Sequence, residues 1–536
     1  MSRSLRARLG SGLLGLALVL PAAAAAPASA AAADFPAGFT GYHTYAEVVA
    51  DVNAVVAAHP TIASKLAIGT SYQGRTIWAV KISDNVAADE AEPEVLFDGG
   101  THADEHMGVE MSLKIMHWLA DGYGTDARIT SIVNSREVWI IPTVNPDGAE
   151  YDISGGRFHF WRKNRQPNAG TTAIGTDVNR NFGYRWGGGG RTSTNPAAMT
   201  YQGPSAFSTP EARNVRDFLA SRVVNGRQQI RTAITFHEYG RLVLWPYGYT
   251  TTNIPTDMTA DDHNALVLIG KRMATFNGYK PEQASDLYVT SGTTRDYAYG
   301  AYRIFAYTFE LSVKDYPDDA LIASETGRNK EAALYLIERA TCPLAVLGAT
   351  TRIARCGAFD DDLEAARGWR VNLAGTDTAT AGQWQRGDPA PTTTASGRKQ
   401  PDGVTSGRYG FVTGLAGGSS AASYDLDGGR TTTTSPTIAL PATAGQKLQF
   451  RWSFGCDASA TAADEFRVEI LDGSVATTVL VTKGAGTERN AGWHLASLDL
   501  GRWAGRTIRL RFSATDGGGS GIVEAAFDDV RVTQPQ

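Results

Sequence analysis

Between Asp34 and about Ala340 the chain alternates strand-length apolar runs with amphipathic helical stretches, and from Gly357 onward that alternation stops. Strand–helix alternation over roughly 300 residues requires a sheet covered on both faces, because each helix must bury its apolar stripe against a layer of strands. Tyr45–Ala58 reads as a helix behind the capping-box pattern Thr44-Tyr45-Ala46-Glu47, and Pro60 closes it. Arg75–Ile82, Glu94–Phe97, Arg136–Ile141, Arg231–Phe236 and Ile304–Leu311 read as strands. Met107–Ala120 and Glu325–Arg339 read as helices, and Ser208-Thr209-Pro210-Glu211 starts another with proline in its first turn.

After Gly357 the residues are rich in Gly, Thr, Ser and Ala, with short alternating runs at Lys447–Trp452, Glu465–Leu471, Thr507–Phe512 and Ala526–Val532. Turn clusters such as Asp427-Gly428-Gly429 separate them, which is the pattern of a β-sandwich. The division is therefore an α/β domain at 34–342, a junction at 343–356 and a β-sandwich at 357–536. With 536 residues, length alone allows two to four domains. A composition of 42% hydrophobic and 20% charged residues excludes wholesale disorder, collagen and coiled coil. A formal charge of −5 argues against nucleic acid as the main partner.

The first thirty residues are read as a signal peptide. Arg3, Arg6 and Arg8 form a basic start, Leu13 to Leu20 is too short to span a bilayer, and Ala28-Ser29-Ala30 fits a cleavage site. A retained membrane anchor is the alternative. Removing residues 1–30 takes away three arginines and no acid, which moves the charge from −5 to −8. No other segment has 18 consecutive apolar residues, so the expectation is a secreted, extracellular protein without a stable membrane anchor. Export permits a disulfide; Cys342 and Cys356 are natural partners, and Cys456 is read as a small buried hydrophobe.

Residues 94–110, EVLFDGGTHADEHMGVE, carry a strand into two glycines and then bring His102, Asp104, Glu105 and His106 together. Strand ends followed by glycines are where open α/β sheets place their sites. Histidine and carboxylate are the usual ligands of catalytic zinc. Two local sets compete: His102 with Glu105, or His102 with His106. The second lacks a glutamate directly after the first histidine, since Ala103 stands there. His237 leaves the end of the apolar run Thr232–Phe236 and is a candidate third ligand. Glu310 lies inside an apolar strand, where desolvation moves a carboxyl toward the range of a general base, unless an arginine pairs with it.

These places in this order resemble the zinc carboxypeptidases of the pancreatic A and B type, over about residues 38–340. The resemblance includes Gly41-Tyr42-His43-Thr44, Ile68–Arg75, the His102/Glu105 motif, Asn145-Pro146-Asp147-Gly148 and Trp161–Arg165. It continues through Asp177–Asn181, His237-Glu238-Tyr239, Trp245–Tyr249 and Thr308–Leu311. It implies a mixed twisted sheet with helices on both faces, one zinc held by His102, Glu105 and His237, and Glu310 as general base. It also implies Arg162 at the oxyanion, Asn179 and Arg180 on the substrate's free carboxylate, a mobile Tyr288, and Asp177 orienting a zinc histidine. Such an enzyme takes peptides or proteins with a free C-terminus.

Asp104 departs from the family's arginine at that position. Arg295 stands where the family sets specificity; a cation there would favour C-terminal Asp or Glu, unless Arg295 pairs with an acid or folds away. Hydrolysis of cell-wall peptides by the same site is a second reading, and a non-catalytic peptide- or carbohydrate-binding protein a third. The sandwich resembles those appended to secreted bacterial peptidases and would anchor, assist folding or target a surface or carbohydrate. Its Trp369, Trp384 and Trp452 are read as core anchors ahead of a carbohydrate-binding face. Asp360-Asp361-Asp362 is read most simply as a solvated turn, with a calcium site as the alternative.

Overall fold

The computed structural model describes residues 34–90, 92–224, 227–418, 423–517 and 521–534. The expected signal peptide lies outside them. No helix among the described residues is long and apolar enough to cross a membrane.

The N-terminal part is an eight-stranded mixed sheet. Its strands are β1 Ala63–Thr70, β2 Thr76–Ile82, β3 Glu94–Asp98, β4 Glu137–Ile141, β5 Ile230–Glu238, β6 Leu242–Trp245, β7 Lys280–Gln283 and β8 Phe305–Leu311, in the order β1-β2-β4-β3-β5-β8-β6-β7. The centre is parallel: β4 with β3, β3 with β5, and β5 with β8. β3, β4 and β8 are buried along their whole length, as strands sandwiched between helices must be. One apolar cluster, including Phe97, Met111, Phe236, Tyr307 and Phe309, fills one face of the sheet. A second, around Leu96, Trp139, Phe182 and Phe218, fills the other. The helix α1 Tyr45–Ala58 starts as its sequence dictates, Thr44 and Glu47 capping each other's backbone N–H groups.

Glu325–Arg339 is not one helix. It is split between Asp319–Gly327 and Lys330–Arg339 at Arg328-Asn329. The Asn329 amide turns inward to the Glu325 carbonyl (2.8 Å) and the Tyr279 hydroxyl (3.0 Å), and accepts from Asn277 (2.9 Å). A buried asparagine with its own partners competes with helix continuation, and the preceding Gly327 offers little resistance.

The junction is a 3-10 turn, Pro343–Leu347, and a short helix, Ala349–Arg355, closed by a Cys342–Cys356 disulfide. Leu344 joins the core of the α/β part. Beyond it two antiparallel sheets stack. One carries Lys447–Cys456, Val523–Val532 and His494–Asp499; the other carries Thr507–Asp516, Glu465–Asp472 and Val475–Lys483. Trp384 is fully buried against Phe527, Trp369 packs between Phe411 and Phe527, and Trp452 stacks on Phe466. Cys456 is buried and free.

The three aspartates at 360–362 are not a solvated turn. Phe359–Asp361 is a strand paired with the closing strand at Val530–Val532. Asp361 and Asp362 are buried. Asp360 accepts from Arg355 (2.8 Å) and Arg531 (3.1 Å), and Asp361 from the Trp369 indole (2.9 Å). The sequence shows the charges but not the guanidinium groups that fold onto them from distant segments.

Candidate active site

The site lies at the C-terminal ends of the central parallel strands. β3 runs into Gly99-Gly100, and both glycines are required. A Cβ on Gly99 would meet the Gly108 carbonyl oxygen at 2.2 Å, and Gly100 has φ +60°. The chain can therefore turn tightly into the helix His106–Gly122, with His102 and Glu105 in the turn. His237 is on β5, directly opposite Glu310 on β8 in the parallel register.

Three donor atoms converge from these elements. His102 Nδ1 is 2.6 Å from Glu105 Oε1, His237 Nδ1 is 2.7 Å from Glu105 Oε2, and the two Nδ1 atoms are 2.9 Å apart. All three residues are buried. Two imidazole nitrogens and a carboxylate facing one point are a zinc donor set. His102 and Glu105 are the pair, since His106 turns away to Asp152 at 3.0 Å. The outer nitrogens are held from behind. His102 Nε2 meets Asp177 at 3.2 Å; His237 Nε2 meets Asn179 Nδ2 at 3.3 Å and Thr235 Oγ1 at 3.4 Å. Thr235 in turn donates to Asp98 at 2.7 Å. Backing of this kind fixes ring orientation and nitrogen basicity. The Asp98–Thr235 support was not anticipated. Its signal is spacing: Thr235 is two residues before His237, on the same face of the strand.

Charge is concentrated here. Burial opposes a charge on Glu105, yet the two imidazoles hold its carboxyl below the usual range. Burial, then the neighbouring His102, pushes His237 down to about 4 despite Glu105. Burial and the charge of Glu105 push Glu310 up to about 8. Arg162 donates to Asp177 (2.9 Å) and Glu105 (3.3 Å), and these carboxylates outweigh its burial and keep it charged.

A cleft adjoins these residues, lined by Asn179, Arg180, Tyr288, Arg295, Thr308 and Glu310 among others. Asn179 and Arg180 sit in a 3-10 turn whose cap is Asp177. Asn179 Oδ1 accepts from Thr294 N (2.9 Å). Arg180 is fixed by the carbonyls of Arg191 and Asn179, both at 2.9 Å. The Tyr288 ring lies 5.9 Å from the Arg180 guanidinium and 5.6 Å from that of Arg191. Arg295 is buried, with Nε and Nη2 each 3.1 Å from Asp296 Oδ1 and Nη1 3.1 Å from Thr308 Oγ1. Arg295 is therefore both in the cleft and paired with an acid. Asp104 is pushed up to about 6 by burial and by Glu105, and faces Glu238 across a small aromatic-lined cavity rather than the cleft.

The sequence profile of a family described as zinc carboxypeptidase matches residues 48–332, more than half of the chain. A zinc carboxypeptidase of Saccharothrix mutabilis subsp. capreolus is 46% identical over 322 residues, covering 59% of this chain and 74% of that protein. Carboxypeptidase A2 of Mus musculus is 33% identical over 280 residues, covering 51% of this chain and 63% of that protein. The crystal structure of carboxypeptidase A from Helicoverpa armigera superposes with a TM-score of 0.50 at 28% identity, covering 57% of this chain and 74% of that one. All nine site residues of the motif reading fall inside the matched span, and the carboxypeptidase-like mixed sheet is the one expected.

Proposed function

The chain belongs to the zinc carboxypeptidase family, hydrolases that act as exopeptidases, and from that premise we propose how its own residues remove a C-terminal amino acid. His102, Glu105 and His237 hold the zinc. When bound, zinc supplies a Lewis acid that polarises the scissile carbonyl and acidifies a water. Glu310 takes the proton of the attacking water at its carboxylate and delivers it to the leaving amine. Arg162 donates to the oxygen on which negative charge develops, while Asp177 holds its guanidinium in place. Asn179 and Arg180 bind the free α-carboxylate of the substrate, and Tyr288 covers it. The observation that carries this reading is the Glu310–His237 register pair, with Arg180 and Asn179 in the same cleft. A substrate without a free carboxylate would leave Arg180 and Asn179 idle, which disfavours cell-wall peptides lacking one.

The reading includes specificity and location. The Arg295 guanidinium in the cleft wall favours C-terminal Asp or Glu over Lys, with its partner Asp296 tempering the preference. The basic, then apolar, N-terminal thirty residues and the Cys342–Cys356 disulfide support secretion. The test is mass spectrometry of peptides differing only in their last residue, with C-terminally amidated controls, with and without a zinc chelator. Chelator-sensitive loss of single C-terminal residues, absent on amides, is expected. Internal cleavage that ignores the amide overturns the exopeptidase assignment.

A further inference from the structure

A cavity of about 40 Å³ lies between the α/β part and the sandwich and shares no lining residue with the peptide cleft. Five guanidinium groups and three carboxylates line it, and Asp361 and Glu364 stand just behind as partners of two of the guanidiniums. Three of the five are paired: Arg303 with Glu364 (3.4 Å), Arg355 with Asp360 (2.8 Å) and Arg367 with Asp361 (3.8 Å). Among the described residues, Arg227 and Arg231 have no carboxylate within 4.0 Å. Arg227 uses one donor on the Ala358 carbonyl (3.0 Å), and the Arg231 side chain donates no hydrogen bond.

The carboxylates in the wall act on Arg227 and Arg231 through space without accepting a hydrogen bond from either. Asp360 is shared by Arg355 and Arg531, Asp262 accepts from the Tyr299 hydroxyl (2.7 Å), and Asp362 from the Glu364 amide (3.2 Å). Burial, then repulsion from Arg227 and Arg367, brings Arg231 down to about 9. Burial and the same Arg367 lower Arg227. Guanidinium donors without acceptors in a partly enclosed cavity are costly, and an oxyanion would supply the acceptors.

We propose that this cavity is an oxyanion site, for phosphate or sulfate, held by Arg227 and Arg231 from the α/β part and by Arg367 from the sandwich. Planar guanidinium groups bind tetrahedral oxyanions through paired N–H donors, so the ion would tie the two parts together.

The test uses the full chain, with thermal unfolding followed as inorganic phosphate or sulfate is titrated at constant ionic strength. The wild type is expected to show a saturable rise of about 2–4 °C, with one phosphate bound per chain by calorimetry. Arg231→Met and, as a milder change, Arg227→Gln are expected to unfold at a higher temperature than wild type in phosphate-free buffer. Both should lose the saturable rise and the calorimetric binding. Phosphate increments equal in all three proteins would reflect general salting effects and overturn the proposal, as would no binding to the wild type. Sulfate matching phosphate identifies a general oxyanion site; phosphate binding alone assigns it to phosphate.

Discussion

Glu310 stands beside His237, a proposed metal ligand, in a parallel ladder, and burial with the charge of Glu105 pushes its carboxyl up. Glu310→Gln preserves volume and removes acid–base exchange, so kcat should fall by about 10²–10⁴ while zinc content and KM hold. Steady-state kinetics with metal analysis checks it; a loss under about tenfold would remove Glu310 as the base. Arg295→Gln should lower kcat/KM for a Glu-ending peptide relative to a Leu-ending one by about tenfold, in a paired comparison. Asp98 makes a different prediction. Burial pushes its carboxyl up to about 7 from the usual 3.8, so the folded state holds the proton more tightly than the unfolded chain. That contribution to stability is complete below about pH 4 and is lost as pH rises through about 7. Asp98→Asn keeps an acceptor for Thr235 and removes the charge. Urea unfolding at pH 5 and pH 8 should show the variant gaining stability at pH 8 and losing much of the pH slope. The convergence of His102, Glu105 and His237 was legible because they are rare residue types at strand ends. The supports behind them were not, because Asp98 and Thr235 carry no distinctive local pattern.

At the level of elements, the turn after β3 sets the geometry of His102 and Glu105. Gly99→Ala would press a methyl group into the backbone of the following helix, at a contact that cannot relax by side-chain motion. We expect a loss of more than about 3 kcal/mol in denaturant unfolding and weakened zinc binding, measured by competition with a chelator. The buried central strands were read correctly from sequence, since an uninterrupted apolar run between turn signals needs no further context. The sheet edges were missed. β1 reads Ala-Ser-Lys-Leu-Ala-Ile-Gly-Thr, with a register shift between Ala67 and Gly69 that spoils its alternation. β7 reads Lys-Pro-Glu-Gln, and a proline is tolerated only because that strand has a neighbour on one side. Edge strands face less of the core, so their composition reports less of their structure.

For the whole molecule, the change of residue pattern near Gly357 marked the two architectures. Their mutual surface was invisible, because it is built from charges that look solvated one at a time, as Asp360–Asp362 did. The disulfide closes a sequence separation of 14 at that surface, worth about 3 kcal/mol by loop-closure entropy. Replacing both Cys342 and Cys356 by serine should lower the unfolding temperature without changing kcat/KM of the folded enzyme, since neither touches the cleft. A parallel fall in kcat/KM would show that the junction positions the site. The pairing of His237 with Glu310 across one rung has a consequence for how such an enzyme changes over generations. In the proposed mechanism the chemistry rests on the central ladder, whereas substrate contacts rest on the turns around 179–191 and 288–295. Selection for removal of a different terminal residue should therefore accumulate substitutions in those turns and leave 232–238 and 305–311 intact. The fold keeps its reaction heritable while its diet is free to drift.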